Sequence, residues 1–458
     1  MTDSTGGAAP HPLLVAPVAP TLLKLAAPNL LGMLASTAVS IAETAYIGRL
    51  GAEPLAAAAL VLPLIMLMGM MSAGAMGGGV STAVIRALGA GAQHRAEALP
   101  LHSAVLLLRF GLFFTVLLTL FGRGVFTLLG GQGETLHQAV VYSAIVFSFA
   151  GAIWLSNMLA SILRGSGNMV GPSAAMLAGA ALQVVVGGAL CFGWGPAPRL
   201  GIVGVGLGQA ISATLVTVIL FLLLRRSSAR VILRLRGPLS REHFMDILKV
   251  GGPAMLSPIQ TVATILVITA NAARFGTETL AGYGIGSRLE FLLVPIAFSV
   301  GVASLPMVGL AIGAGDVARA RRVAWTAGGL AAAALGVLGF LLSLFPELWV
   351  SIFTRDAGVA KAAATYLHFV GPMFAFFGLS LALYFSAQGA GRIAGPLLAG
   401  TARLAVVLTG GLILVAMEAP AWTLFALVAL GMVVMGGLTA AFVYFTPWGP
   451  RPLAAAAD

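Results

Sequence analysis

Charge is what this chain has least of. Only 9% of its 458 residues are Asp, Glu, Lys or Arg, and only 14 are acidic. A soluble domain carries roughly 25% charged residues, so an ordinary water-facing surface is excluded. Cysteine is down to Cys191 alone, which rules out an internal disulfide and says nothing of redox compartment. No Cys/His spacing of a metal site and no Ser/His/Asp arrangement occurs, so the sequence has no sign of an enzyme and calls for no cofactor. Alternation of apolar and polar residues at period two is missing too, which excludes a transmembrane β-barrel.

What is present is apolar: 59% hydrophobic residues and a mean hydropathy of +1.02. Stretches of about 20 apolar residues, enough to cross a bilayer at 1.5 Å rise each, recur along the whole chain. The reading is an all-α polytopic membrane protein. Twelve spans are predicted, near 21–48, 55–80, 98–121, 136–163, 172–194, 202–224, 245–272, 280–312, 322–346, 362–388, 395–417 and 420–446. The opening "MTDSTGGAAPHPLLVAPVAP" has no basic stretch ahead of an apolar run, so residues 1–20 are expected to be a disordered tail rather than a cleaved signal. One connection is long, the basic linker 225–244. It separates a first lobe, 21–224, from a second, 245–446, with a tail at 447–458. With both termini cytoplasmic, about sixteen Lys/Arg fall inside and about six outside, a positive-inside bias. The net charge of +11 is therefore a topology signal, with a contact to anionic lipids at most. No basic stripe interleaved with aromatics points to nucleic acid.

The two lobes repeat each other. "LKLAAPNLLGMLASTAVSIAETAYIGRLGAEPLAA" from Leu23 overlays "LKVGGPAMLSPIQTVATILVITANAARFGTETLAG" from Leu248. Lys24 meets Lys249, Pro28 meets Pro253, Arg49 meets Arg274, Gly51 meets Gly276 and Glu53 meets Glu278. Further on, "RGSGNMVGP" (Arg164–Pro172) answers "QGAGRIAGP" (Gln388–Pro396). Six spans per half is an even number, so the halves share one membrane orientation. Parallel repeats of this kind place a substrate site near their interface.

Glu43 in "SIAETAYIGRLG" is the acid that most needs a reason. On a helix, Asn29, Ser36, Ser40 and Glu43 share a face, and a polar stripe in a membrane span must meet protein or water. A carboxyl group held in low dielectric can keep a proton at neutral pH and release it on hydration or beside a cation, which is what an exchange site requires. The bland alternative is a solvated Glu43 at the outer end, paired with Arg49. Glu290 in "GIGSRLEFLLVP" is the second acid, either an exchange group or one side of an ion pair with Arg109 or Arg403. Two residues apart, Arg288 and Glu290 point to different sides and do not pair with each other.

Thr44, Tyr46, Met66, Tyr283, Gln260 and Asn271 join Asn29, Ser36 and Ser40 as candidate cavity residues. Adaptable methionines and flat aromatics suit varied cationic cargo, although lipid-facing or core roles are the commoner use of both. Tyr384 and Trp154 are further possible stacking surfaces. Arg109 and Arg403 are expected to snorkel or to bridge helices. Glycine runs such as "GAMGGG" lie in apolar helices and serve close packing rather than phosphate binding. Pro28, Pro63, Pro253, Pro295 and Pro306 are expected kinks, with Pro28 and Pro253 as repeat-related hinges.

"PNLLGMLASTAVSIAETAYIGRLGAEPLAA", "ALGAGAQHRA", "LRGSGNMVGP", "GYGIGSRLEFLLVP" and "GLAIGAGDVARARR" together resemble the multidrug and toxic-compound extrusion (MATE) family, over roughly residues 20 to 446. The resemblance implies a 6+6 helical antiporter with V-shaped lobes, exporting cationic or amphipathic compounds against protons or sodium ions. It implies an acid followed by Thr on the first helix, usually Asp; Glu43–Thr44 stands there. The Asn and Asp that family members often carry on span five are Gln183 and Gly187 here. The acids that sodium-coupled members carry on spans seven and ten are missing, and the shortage of hard oxygen ligands favours protons. The coupling set is therefore Glu43, Glu290 and Gln183. Partners expected are small cationic or amphipathic molecules, protons or Na⁺, and lipid, with the chain a monomer in a bacterial inner membrane. A sodium-coupled exporter, a lipid-linked precursor flippase and a channel or scaffold remain alternatives.

Overall fold

A computed structural model describes residues 12–226 and 237–449. Among the described residues there is no strand: lipid offers no partner for backbone groups, and helices satisfy them internally. Twelve spanning units follow one another. They are α1 (Val18–Gly48), α2 (Ala52–Gly89), α3 (Gln93–Leu128), α4 (Gly133–Ser148 with Ala150–Gly165), α5 (Val170–Phe192) and α6 (Ile202–Arg226). The second half holds α7 (Arg241–Arg274), α8 (Thr277–Gly313), α9 (Val317–Leu344), α10 (Ala357–Gly389), α11 (Ala394–Ala416) and α12 (Trp422–Phe445).

Two expected boundaries move. Residues 12–20, expected in the tail, are helical in a short turn Pro12–Val15 and in the start of α1. Leu13 is buried in the second lobe's core, and the carbonyls of Leu13 and Ala16 accept hydrogen bonds from Arg319. At the other end Trp448, expected in the tail, is buried, and the Gly449 carbonyl accepts from Arg392. The linker narrows at both sides, since α6 runs through Arg226 and α7 begins at Arg241. The remaining parts of the predicted tails and linker lie outside the described residues.

The repeat is visible in the backbone. Gly51 and Gly276 (φ 127° and 109°), Gly91 and Gly315 (φ 70° and 81°), and Gly167 and Gly391 (φ 88° and 68°) are repeat-related pairs. Each stands at a turn in a region that side chains with a Cβ avoid, so glycine recurs there in both halves. Breaks in the helices are less symmetric. α2 carries a π-helical stretch at Met70–Met76, and α4 bends by 43° at Phe149. α7 breaks at Met255, two residues after Pro253. Pro28, in contrast, lies inside an unbroken α1, as do Pro295 and Pro306 in α8.

Each half has its own core. Trp154, Phe126, Phe147 and Met68 centre the first; Tyr366, Phe374 and Phe425 centre the second. The halves also exchange ends. Leu22 and Ala26 of α1 belong to the second lobe's core while Ile47 belongs to the first; Ile247 of α7 belongs to the first while Ile268 belongs to the second.

Packing between lobes is tight at the end shared by the Gly89 and Gly313 turns. A Cβ on Gly89 would sit 2.6 Å from the Leu310 carbonyl oxygen, and one on Gly79 would sit 2.7 Å from the Gly251 Cα. The C-terminal half of α8, from Ser299 to Ala311, is buried throughout. These contacts seal one end of the seam.

Candidate functional site

The orientation of α1 follows from its contacts. Gly32 lies against Met176 of α5, and Met33 receives a contact from Ser299 Oγ of α8 at 3.8 Å. At about 100° per residue, the direction between these two neighbours is the one taken by Asn29, Ser36 and Ser40. That face looks into the seam between the lobes. Asn29, at the sealed end, is 3% exposed and its amide nitrogen lacks a partner, whereas Ser36, two turns on, is exposed. Ser36 and Thr44 donate to the carbonyls of Gly32 and Ser40 in their own helix.

Glu43 turns from this face toward α5. Its Oε1 accepts a hydrogen bond of 2.7 Å from Gln183 Nε2. No described cation pairs with it, and Arg49 does not reach it. The carboxyl group is half-buried and held by a neutral amide alone. Two residues picked separately from the sequence thus form one unit. Tyr46, one turn further, packs against Phe192 and Trp194 with centroids 5.6 Å and 6.3 Å away, closing the C-terminal end of α1 on α5.

The second half offers no equivalent. Ile268 stands where the repeat would place a Glu43 and is 2% exposed. Extending the register of Arg164 and Gln388 brings Val407 of α11 opposite Gln183, and Val407 is fully buried in the same core. An aliphatic pair therefore replaces the hydrogen-bonded pair.

Other candidates are placed inside the second lobe. Gln260 is 6% exposed and donates to Thr401 Oγ1 at 2.6 Å and to the Leu397 carbonyl at 3.2 Å, so it joins α7 to α11. Asn271 is buried against Gly411, and Tyr283 against Tyr366 with centroids 5.9 Å apart. Glu290 pairs with Arg403 Nη2 at 3.7 Å, bridging α8 and α11, one of the two partners expected for it. Arg288 points elsewhere, over the Phe353 ring at 5.2 Å. Arg109 is exposed on α3. The methionine cluster divides, with Met66 and Met70 exposed while Met68, Met71 and Met76 are buried.

Sequence reasoning missed the residues that close the sealed end. Gln388 of α10, fully buried, reaches across to the π-helical stretch of α2, donating to the carbonyls of Gly74 and Ala75 at 3.1 Å and 3.2 Å. Its own carbonyl accepts from Thr82 Oγ1 at 3.0 Å. Ser72, in the same stretch, accepts from Asn157 of α4 at 2.8 Å. The repeat partner of Gln388 is Arg164, also buried, whose guanidinium meets Met176 Sδ at 4.0 Å and pairs with no acid among the described residues. The signal was the aligned pair of "RGSG" and "QGAG" segments, where a charge in one half faces an amide in the other.

Two six-helix lobes of one orientation, sealed at one end and carrying an unpaired acid on the helix that spans both, define a polytopic transporter rather than an enzyme. The sequence profile of the MatE family matches residues 28–188 and 253–410, one block in each half. The chain belongs to the MATE family of transporters. A probable multidrug resistance protein NorM of Deinococcus radiodurans is 32% identical over 393 residues, 81% of each chain. A protein of Shewanella oneidensis described as an FAD transporter is 28% identical over 364 residues, 78% of this chain and 79% of its own. In fold, a structure described as the outward-facing conformation of a MATE family multidrug resistance transporter superposes with a TM-score of 0.87 at 22% identity, covering 94% of this chain and 96% of that one.

Proposed function

We propose that this chain is a proton-coupled antiporter that exports cationic or amphipathic small molecules, with Glu43 as the exchange carboxylate and Gln183 as its positioning partner. The observation that carries this reading is the Glu43–Gln183 bond itself. A carboxylate held by a neutral donor and by no cation is free to take either a proton or a cationic cargo. Ser36 and Ser40 line the approach on the same face of α1. Positive-inside counting puts both termini and the sealed end in the cytoplasm, so the lobes open outward. Protonation of Glu43 from outside then releases cargo, and loss of that proton toward the cytoplasm resets the site. Na⁺ favours several hard oxygens, whereas the hydrogen bond described for the Glu43 carboxyl group comes from a single neutral amide, with no second acid paired beside it among the described residues.

A fluorescent cation, exported by inverted vesicles under separately imposed proton and sodium gradients, tests the reading. Proton-driven export is expected in the wild type and lost in Glu43→Gln. Unchanged proton-driven export in that variant sinks the assignment.

Arg164 favours a second reading. A buried guanidinium with no described acid beside it suits an anionic cargo once the sealed end opens, and a relative bears the name FAD transporter. Inclusion of a flavin dinucleotide in the same vesicle assay separates the two cargo classes.

A further inference from the structure

The sealed end holds a titratable joint that the coupling site does not use. Arg95, at the start of α3 in the first lobe, grips Asp246 of α7 with two nitrogens, Nε to Oδ2 at 2.9 Å and Nη2 to Oδ1 at 2.8 Å. The same Nη2 reaches Glu242 Oε1 at 3.0 Å. Two turns along α3, His102 is 1% exposed and bonded through both ring nitrogens. Nδ1 lies 2.8 Å from the Ala98 carbonyl oxygen, and Nε2 lies 2.8 Å from the Ser240 backbone nitrogen. A carbonyl can only accept and a backbone N–H can only donate. The two contacts together fit the tautomer with its proton on Nδ1 and its Nε2 lone pair taking the Ser240 N–H.

Ser240 is the N-cap of α7, its Oγ accepting from the Glu242 N–H at 3.3 Å. His102 thus fastens the start of α7, the helix that runs from the first lobe's core at Ile247 to the second lobe's core at Ile268. Around it the rings of His243 and Phe244 lie 4.8 Å and 4.9 Å away, and His243 Nδ1 is buried without a partner.

We propose that His102 is a proton-sensitive clasp between the lobes. Neutral, it holds Ser240 and keeps the sealed end shut. A proton added at Nε2 removes the only acceptor for the Ser240 N–H and sets two donors face to face. The bond and the proton are mutually exclusive, so acid on that side favours separated lobes. The charged and titratable groups facing the joint do not reverse the sign. From α7 come His243, Glu242 and Asp246; from α3 come Arg95 and Glu97; from α2 comes Arg86, with Arg392 behind it. Both α7 acids are already engaged by Arg95, and Arg86 and Arg95 add positive charge. The clasp does not depend on which ion drives export. In the cell it would ease the inner gate open when the cytoplasm turns acid.

The test uses the full chain, purified in lipid nanodiscs. Cys191, fully buried, is replaced by Ala, and spin labels are placed at Ala92→Cys and Ala318→Cys, which stand on opposite lobes at the sealed end. Distances are read from about pH 8 to about pH 5.5, the range in which imidazole changes charge. The ratio of separated to closed lobes is expected to rise with acid, by at most about tenfold per pH unit for one proton. That rise should persist in Glu43→Gln, which leaves the clasp intact while disabling the coupling acid. It should vanish in His102→Gln, which accepts from Ser240 without titrating, and His102→Lys should stay separated at every pH. An acid response that survives in His102→Gln, that disappears in Glu43→Gln, or that is missing from the wild type overturns the proposal. Should His102→Lys fail to fold, the glutamine variant decides alone.

Discussion

Gln183 donates to Glu43 across the gap between α5 and α1, and nothing charged shares that carboxyl group among the described residues. A hydrogen bond to a charged group contributes about 1.5–3 kcal/mol. Gln183→Leu should therefore lower proton-driven export by roughly tenfold or more, the factor that 1.4 kcal/mol represents. Cargo binding measured by fluorescence without any gradient should change far less, because the acid remains. An equal loss in both assays would mean that Gln183 holds cargo rather than the coupling group.

Gln388 closes the seam through two carbonyls of the π-helical stretch. Gln388→Leu removes the donor that ties those carbonyls to α10, at about 0.5–1.5 kcal/mol for each hydrogen bond lost. The sealed end should open, read as a longer distance between labels on the two lobes at neutral pH. Labels that stay at the wild-type distance would show that packing alone keeps the end shut.

Gly89 meets the Leu310 carbonyl so closely that even a methyl group must displace it. Gly89→Ala is expected to disfavour closure by about 1–3 kcal/mol, the usual range for overpacking. Export should fall while the amount of inserted, folded protein stays constant. Normal export at matched expression would place the tight contact outside the transport cycle.

Arg403 and Glu290 bridge α8 and α11 inside the second lobe. Removing one partner of a buried pair costs about 3–5 kcal/mol, whereas replacing both with uncharged groups is often neutral. Arg403→Ala should melt well below the wild type in detergent, and Arg403→Met combined with Glu290→Gln should recover most of the loss. A double variant that melts normally but has lost proton coupling would instead make Glu290 a second exchange group.

Much of this was legible in the sequence because it depends on local pattern. Apolar length marks the spans, and a repeat of glycine turns marks the two halves. Glu43 announced itself as a polar group in an apolar run, Gln183 came from the family resemblance, and Arg403 was among the two partners named for Glu290. What stayed hidden depends on how distant helices meet. Gln388 and Thr82 are 306 positions apart, and His102 and Ser240 are 138 apart. Neither pairing follows from periodicity. Gln260 and Asn271 mark the same limit, since a polar residue in a membrane helix can serve a cavity or a neighbouring helix, and only the partner tells which.

The aliphatic pair Ile268 and Val407 has a consequence for how the duplicated halves can drift. An acid introduced at Ile268 by itself would be stranded among hydrocarbon, and an amide introduced at Val407 by itself would have nothing to hold. Each single change is unfavourable, and only both together rebuild the bonded unit of the first half. A symmetric second site is therefore separated from the present sequence by a barrier that no lone substitution lowers. The one-sidedness of this transporter is thereby locked in by packing.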